Sequence, residues 1–203
     1  MIARISDVNF CPTKNSQLNL INEKVSGSTF SVGNTVLDNL IEYKDKCEYT
    51  DKVLVTLHRR ENHHIMDKWF DEVNQLAKDF GGLNFILPIH PNPNVQKHKH
   101  LLTHVNIVDP MSHDELLNVL CKSKLVISDS GGLQEEGSFF NKKVIVCREV
   151  TERPEAIKTG HLHICKSPKD LPNLFHNVVK NYYINNICPY GDGYASQKIK
   201  ELL

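Results

Sequence analysis

The chain is 203 residues long, enough for one or two domains with a sizeable buried core. Its 24 basic and 24 acidic residues cancel, so no bulk field draws it onto nucleic acid. No apolar run approaches bilayer-spanning length and the N-terminus lacks a signal-peptide pattern, so the expectation is a soluble, cytoplasmic protein without a membrane partner.

In chain order, residues 1–40 offer one helix and one strand, Thr29–Val32, and read as the end of another unit rather than a domain. Short apolar runs then alternate with amphipathic stretches. The runs predict strands at Val53–Leu57, Asn84–Ile89, Val105–Val108, Leu125–Ser128, Lys143–Cys147 and Leu162–Cys165. Between the first two, Met66, Trp69, Phe70, Val73, Leu76, Ala77 and Phe80 recur at the spacing of one helix face. Ser112 with Glu115 forms a capping box, and Ser167 before Pro168 reads as an N-cap and first helical position. Strands apolar on both faces and alternating with helices predict an α/β, Rossmann-like parallel sheet covered on both sides. The six cysteines (Cys11, Cys47, Cys121, Cys147, Cys165, Cys188) are scattered, without a CxxC pair. Several lie in apolar runs, which suits reduced core thiols better than disulfides or zinc ligands.

Ligands of open α/β sheets bind at the carboxyl ends of the strands. Four of these predicted strand ends run into unusual polar loops: "LHRREN" (57–62), "HPNPN" (90–94), "DSGGLQEE" (129–136) and "REVTERPE" (148–155). In 128–136 a Ser-Gly-Gly turn entering a helix exposes backbone N–H groups suited to phosphate, and Glu136 one turn on suits a vicinal diol such as a ribose. A tight turn with solvated acids is the plain alternative, since acids favour helix N-termini. His58 beside Arg59, Arg60, Glu61 and Asn62 suits acid–base work next to phosphate; an exposed, self-paired loop is the alternative. Arg148 and Arg153 in "REVTERPE" either close a diphosphate or sugar site or form a salt-bridged loop. His90 alone reads as structural. His98, His100 and His104 make a poor zinc pattern, and His161 and His163 read as packing or surface. GxGxxG, Walker and GxSxG motifs are absent from the sequence.

Taken together, "VTLHRREN" (55–62), "PIHPNPNV" (88–95), "SDSGGLQEE" (128–136), "REVTERPEA" (148–156) and "PYGDGYAS" (189–196) resemble the non-hydrolysing UDP-N-acetylglucosamine 2-epimerases, which share the GT-B architecture. "FCPTKNSQLNL" and "VGNTVLD" (10–20, 32–38) resemble the stretch that precedes that family's C-terminal domain. The likeness implies interconversion of UDP-GlcNAc and UDP-ManNAc by elimination of UDP and its re-addition, without metal or nicotinamide cofactor. It implies that Ser130, Gly131 and Gly132 hold the diphosphate, Glu136 the ribose and the backbone near Leu116 the uracil. His58 would face the reaction centre as the catalytic residue. Arg59 and His90 match a regulatory UDP-sugar site of bacterial members, with Arg60, Glu61, Arg148 and Arg153 in support. Two positions depart from the pattern: Leu57 replaces a small residue, which would crowd the site, and Cys188 replaces an asparagine.

The resemblance further implies three segments: 1–38 as the tail of an N-terminal domain, 39–187 as the UDP-binding domain, and 188–203 as a helix packing back on the N-terminal domain. In the family that first domain supplies the carboxylates that move the C2 proton, so this stretch alone is expected to bind UDP-sugar without turnover. The expected partners are the UDP-sugar and an N-terminal domain or chain, with a homodimer left open and no nucleic acid. Two other readings stay open: a non-catalytic UDP-sugar-binding module and a GT-B glycosyltransferase domain.

Overall fold

The computed structural model describes residues 2–203. Strands β1 (Val8–Cys11) and β2 (Ser28–Ser31) flank helix α1 (Lys14–Asn22), and α2 (Ile41–Lys44) follows a 3-10 segment at Thr35–Leu40. Next come β3 (Lys52–Thr56), α3 (Met66–Asp79), β4 (Asn84–Pro88), α4 (Pro93–Gln96), β5 (Asn106–Val108), α5 (His113–Cys121) and β6 (Ser123–Ser128). The chain continues through α6 (Gly131–Phe139), β7 (Lys143–Val146), α7 (Glu155–Lys158), β8 (Leu162–Ile164), α8 (Leu171–Lys180) and α9 (Ala195–Leu202).

Strands β3 to β8 form one parallel sheet in the order β5-β4-β3-β6-β7-β8. Each predicted strand of this sheet is present within two residues of its expected bounds. The alternation of side chains explains why they read as unbroken apolar runs. Val53, Val55, Leu125 and Ile127 face one core with α3 and α8, while Leu54, Val126 and Val144 face a second core with α5, α6 and the 35–40 segment. Helix α3 buries Met66, Trp69, Phe70, Val73, Leu76 and Ala77, and Phe80 packs at its edge. Burying each of its larger apolar side chains is worth roughly 1.5–3 kcal/mol, which explains why this helix is legible from spacing alone. On the opposite face Gly137 brings α6 close to β7. A Cβ there would lie 2.7 Å from Val144 Cγ2.

The N-terminal region holds one strand more than its sequence suggests. Val8–Cys11 pairs in parallel with Ser28–Ser31 as a separate two-stranded sheet, with Thr13 accepting from Ser16 N–H to start the helix between them. The mixed and half-exposed pattern of Val8–Cys11 lacks the apolar run that marks the buried strands. The capping box at Ser112 and Glu115 is present. Ser167 and Pro168 open a single 3-10 turn, and the helix proper begins at Leu171, without a side-chain cap. "PYGDGYAS" joins the chain's two ends. Asn34 N–H donates to Tyr190 O at 2.7 Å, and the amides of Ala195 and Ser196, opening α9, donate to the Asp38 carboxylate at 3.0 and 2.7 Å. Gly191 and Gly193 both take left-handed backbone here (φ 126° and 91°), which favours glycine.

Candidate functional site

The four polar loops leave β4, β3, β6 and β7, which are neighbours in that order across the sheet. They therefore meet on one edge, centred where the chain reverses its winding between β3 and β6, the place where open α/β sheets bind ligands.

A buried carboxylate organises the β3 side. Asp129, wholly shielded from solvent, accepts from His58 N–H at 3.0 Å, Arg59 N–H at 2.9 Å and Asn62 Nδ2 at 3.0 Å. Asn62 also donates to Cys147 O at 3.0 Å and accepts from Trp69 Nε1 at 3.2 Å. Strands β3, β6 and β7 and the apolar face of α3 are thus fastened through two short side chains. A carboxylate can lie this deep because donors surround it. His58 Nδ1 stands 3.7 Å from Asp129 Oδ1, and its ring stacks on His90 with centroids 4.9 Å apart and 6° between planes. Burial pushes the His58 pKa below its ordinary 6.5; Asp129 opposes this, while His90, Arg59 and His63 add to it. The imidazole is therefore neutral at pH 7, with a nitrogen free to accept a proton. Arg59, Arg60 and His90 are exposed around it.

On the β6 side the sheet edge runs into α6. Ser130 takes the N-cap position in extended conformation, yet its side chain makes no capping bond to the first turn. The leading N–H groups are left for an external acceptor. Arg153 lies against them, so close that a Cβ on Gly131 would sit 2.8 Å from its Nη1. A cation at the positive end of a helix is unfavourable by itself. Here Glu135 holds it through a 2.8 Å bond to Arg153 Nε, and the backbone behind it is held by Tyr190, whose hydroxyl donates to Arg153 O at 2.9 Å. Guanidinium and amides together form a socket for a doubly charged anion. One turn on, Glu136 is 7% exposed and pairs with His113 Nε2 at 3.0 Å. A Cβ on Gly132 would meet no protein atom nearer than Glu136 Oε1 at 3.9 Å, so Gly132 borders open space between the socket and that carboxylate.

The structure brings His58, His90, Ser130, Gly131, Gly132, Glu136 and Arg153 to one edge and separates the two readings of 148–155. Arg148 belongs to a salt-bridged loop, donating from Nε to Glu61 at 2.6 Å and from Nη1 to Glu152 at 2.9 Å. Arg153 belongs to the socket. Leu57 does not crowd the site; its side chain turns into the core beside Val55 and Ile89. Cys188 packs against the second core. Leu116 N–H is bonded within the helix to Ser112 O, so what α5 offers a ligand lies nearer its first residues. Asp129 and Asn62, which the motifs group with ligand-facing neighbours, belong to the buried framework instead, and His113 lies outside every motif. The signal for Asp129 was its parity, since it directly follows a strand end and points back beneath the β3 loop.

Comparison with known proteins bears on the family and the fold. The family model described as UDP-N-acetylglucosamine 2-epimerase matches residues 1–203. The chain is 33% identical to the UDP-N-acetylglucosamine 2-epimerase of Neisseria meningitidis serogroup A, covering 98% of this chain and 61% of the relative. It is 32% identical to that of Bacillus subtilis, covering 100% of this chain and 59% of the relative. A crystal structure of the Neisseria meningitidis enzyme bound to UDP-GlcNAc superposes with a TM-score of 0.85 over 98% of this chain and 61% of that one, at 32% identity. The chain thus spans about three-fifths of the length of these relatives. With the ordered loops, the doubly wound sheet and the family match over its whole length, this chain belongs to the UDP-N-acetylglucosamine 2-epimerase family.

Proposed function

We propose that this chain forms the UDP-binding half of an enzyme that interconverts UDP-GlcNAc and UDP-ManNAc. The observation that carries the proposal is the uncapped α6 N-terminus with Arg153 laid against it and Glu136 one turn on. Diphosphate donors and a diol acceptor stand in the order a nucleoside diphosphate presents them. Ser130, Gly131, Gly132 and Arg153 take the diphosphate, Glu136 the ribose, and the start of α5 near Leu116 the uracil. The neutral His58 faces the sugar, flanked by Arg59, Arg60 and His90; these three also suit a second, regulatory UDP-sugar.

In the reaction a base removes the C2 proton, the C1–O bond breaks, and UDP leaves with the bonding electrons to give a glycal. UDP then re-adds as a proton returns to the opposite face of C2. Preorganised donors at the diphosphate stabilise the charge that develops on the leaving group. His58 serves one proton transfer at most, because a single group cannot reach both faces of C2. Most acids at this edge are already engaged, Asp129 by three donors, Glu136 by His113, Glu135 by Arg153, and Glu61 and Glu152 by Arg148, while Glu149 is exposed on the β7 loop. We therefore assign the remaining acid–base group to polypeptide outside these residues, in the same chain or another. Within this proposal 39–187 is the UDP-binding domain, while 1–38 and 188–203, already joined through Asp38 and Tyr190, form the side facing that polypeptide. Cytoplasmic placement and a role in polysaccharide synthesis belong to the same proposal.

Those engaged acids also favour a second reading, a non-catalytic UDP-sugar-binding module. Calorimetry with UDP and exchange of the C2 proton in deuterated water separate the two. The epimerase reading expects UDP binding by this chain, no exchange by it alone, and exchange on adding the N-terminal part of a relative. Binding with no exchange in that mixture supports the module; absent UDP binding overturns both.

A further inference from the structure

Away from the sheet edge, behind α5, two of the six thiols share one acceptor. Cys47 Sγ donates to Tyr43 O at 3.4 Å and Cys121 Sγ to the same oxygen at 3.7 Å. The two backbones are joined beside them, because Glu48 N–H donates to Cys121 O at 3.0 Å. Tyr43 Oη ties α2 to α5 a second time, 3.1 Å from Asp114 Oδ1. We propose that Cys47 and Cys121 form an oxidation site, a dithiol that closes to a disulfide under mild peroxide and fastens the segment after α2 to the end of α5.

Three features in combination set this pair apart. The first is access: Cys47 is part-exposed and lines a cavity of about 270 Å³ with Lys44, Tyr49, Phe140, Lys142 and Ile184; Cys121 is buried behind it, as are Cys11, Cys147 and Cys165 elsewhere, and Cys188 is part-exposed too. The second is charge. Lys142 Nζ is held by Glu48 O at 2.6 Å and lies 4.1 Å from the Tyr49 ring centroid, inside the same cavity. Its charge favours a thiolate on either sulfur, and Lys46 and Lys122 act on Cys121 in the same direction, while Asp45 opposes at Cys47. Desolvation lowers the Lys142 pKa to about 8, so the ammonium still predominates at pH 7. The third is the acceptor the two share: Tyr43 O gathers both sulfurs at one point, at 3.4 and 3.7 Å. Neither Cys147 nor Cys165 has such a cation among its neighbours, and burial raises both.

The chemistry closes with hydrogen peroxide as the named oxidant. One sulfur, as thiolate, attacks a peroxide oxygen, the O–O bond breaks, and the departing hydroxide takes a proton to become water. The resulting sulfenic acid is attacked by the second thiolate; the S–S bond forms as the S–O bond breaks and a second water leaves. Two thiols and one peroxide give one disulfide and two waters.

The test treats the folded chain with increasing peroxide, blocks remaining thiols with N-ethylmaleimide and maps the peptides by mass spectrometry. The expected first product is an intramolecular Cys47–Cys121 peptide pair lacking two hydrogens, with four thiols still alkylated after denaturation. Cys47→Ser and Cys121→Ser, both close in size, should each abolish that product while circular dichroism shows the fold retained. Lys142→Met should slow its formation about tenfold, one unit of thiol pKa being a tenfold change in thiolate. A sulfinic acid on either residue with its neighbour still free, a different pair formed first, or a disulfide between two chains would overturn the proposal.

Discussion

The two sides of the site solve opposite problems. The β3 loop carries four charged or basic groups in sequence, yet its backbone donors are bound internally, to Asp129, and its acid Glu61 is bound to Arg148. The α6 side does the reverse, leaving its leading amides uncapped and holding Arg153 where it raises the positive field further. One side is a frame whose inward donors, the amides of His58 and Arg59 and the Asn62 side chain, are met without ligand. The other is a socket whose donors remain available. Net charge does not distinguish them; the destination of each donor does.

The sharpest way to break this comparison is at the frame. Asp129→Asn is nearly isosteric, but it removes the charge on which three short donors converge at Oδ2 and sets an amide NH2 where His58 N–H meets Oδ1 at 3.2 Å. We expect a loss of about 3–5 kcal/mol in stability, the range for breaking a buried charged network, measured as a shift in urea midpoint. The His58 pKa should fall further by NMR, because Asp129 is the group that raises it. An unchanged midpoint would show that the buried carboxylate is not what holds the loop.

The socket is best tested at Gly132, since a larger residue at Gly131 strikes Arg153 before it reaches any ligand. Gly132→Val should weaken UDP at least a hundredfold by calorimetry, about 2.7 kcal/mol, with the melting temperature nearly unchanged. Uridine, lacking the diphosphate, should lose far less. Equal loss of both would move the obstruction to the nucleoside and remove the diphosphate from α6.

Glu136→Gln comes next, at roughly ten- to a hundredfold, from one charge-assisted hydrogen bond of about 1.5–3 kcal/mol. Uridine and UDP should suffer alike because the contact is to the ribose. His113 now faces an amide and should gain mobility, visible in its ring resonances.

The smallest effects separate the two arginines of one loop. Arg153→Met should weaken UDP about tenfold and leave stability almost unaltered, since losing the pairs to Glu135 and Glu152 is offset by removing a cation from the positive end of α6. Arg148→Met should do the opposite, lowering stability by about 1 kcal/mol through loss of Glu61 and Glu152 while UDP binds as before. Were both to reduce UDP binding equally, the division between frame and socket would not hold.

Much of this molecule was legible before folding. The central strands announce themselves because both faces are buried, leaving no polar residue to interrupt the run, and α3 does so because one face must carry every large apolar side chain. Loop chemistry showed as well: glycines before a helix and arginines after strands are costly to place without a use. The half-exposed β1 gave no such signal, and its pairing with β2 depends on a partner twenty residues away by register, Val8 opposite Ser28.

Sequence by itself determined the central strands and α3, the set of loops at one sheet edge and the family, because each depends on local periodicity or ordered motifs. Tertiary structure alone decided which charged groups face a ligand. Asp129 and Glu136 are both acids of one loop–helix segment; the first turns beneath the β3 loop to bind amides 70 and 71 residues away, and the second turns to His113. Arg148 and Arg153 stand five residues apart in one loop and each pairs with two carboxylates, yet only Arg153 lies across a helix end. Charge acts through space rather than along the chain. Only the fold brings together the donors and acceptors that decide whether an ionised side chain is structural or available.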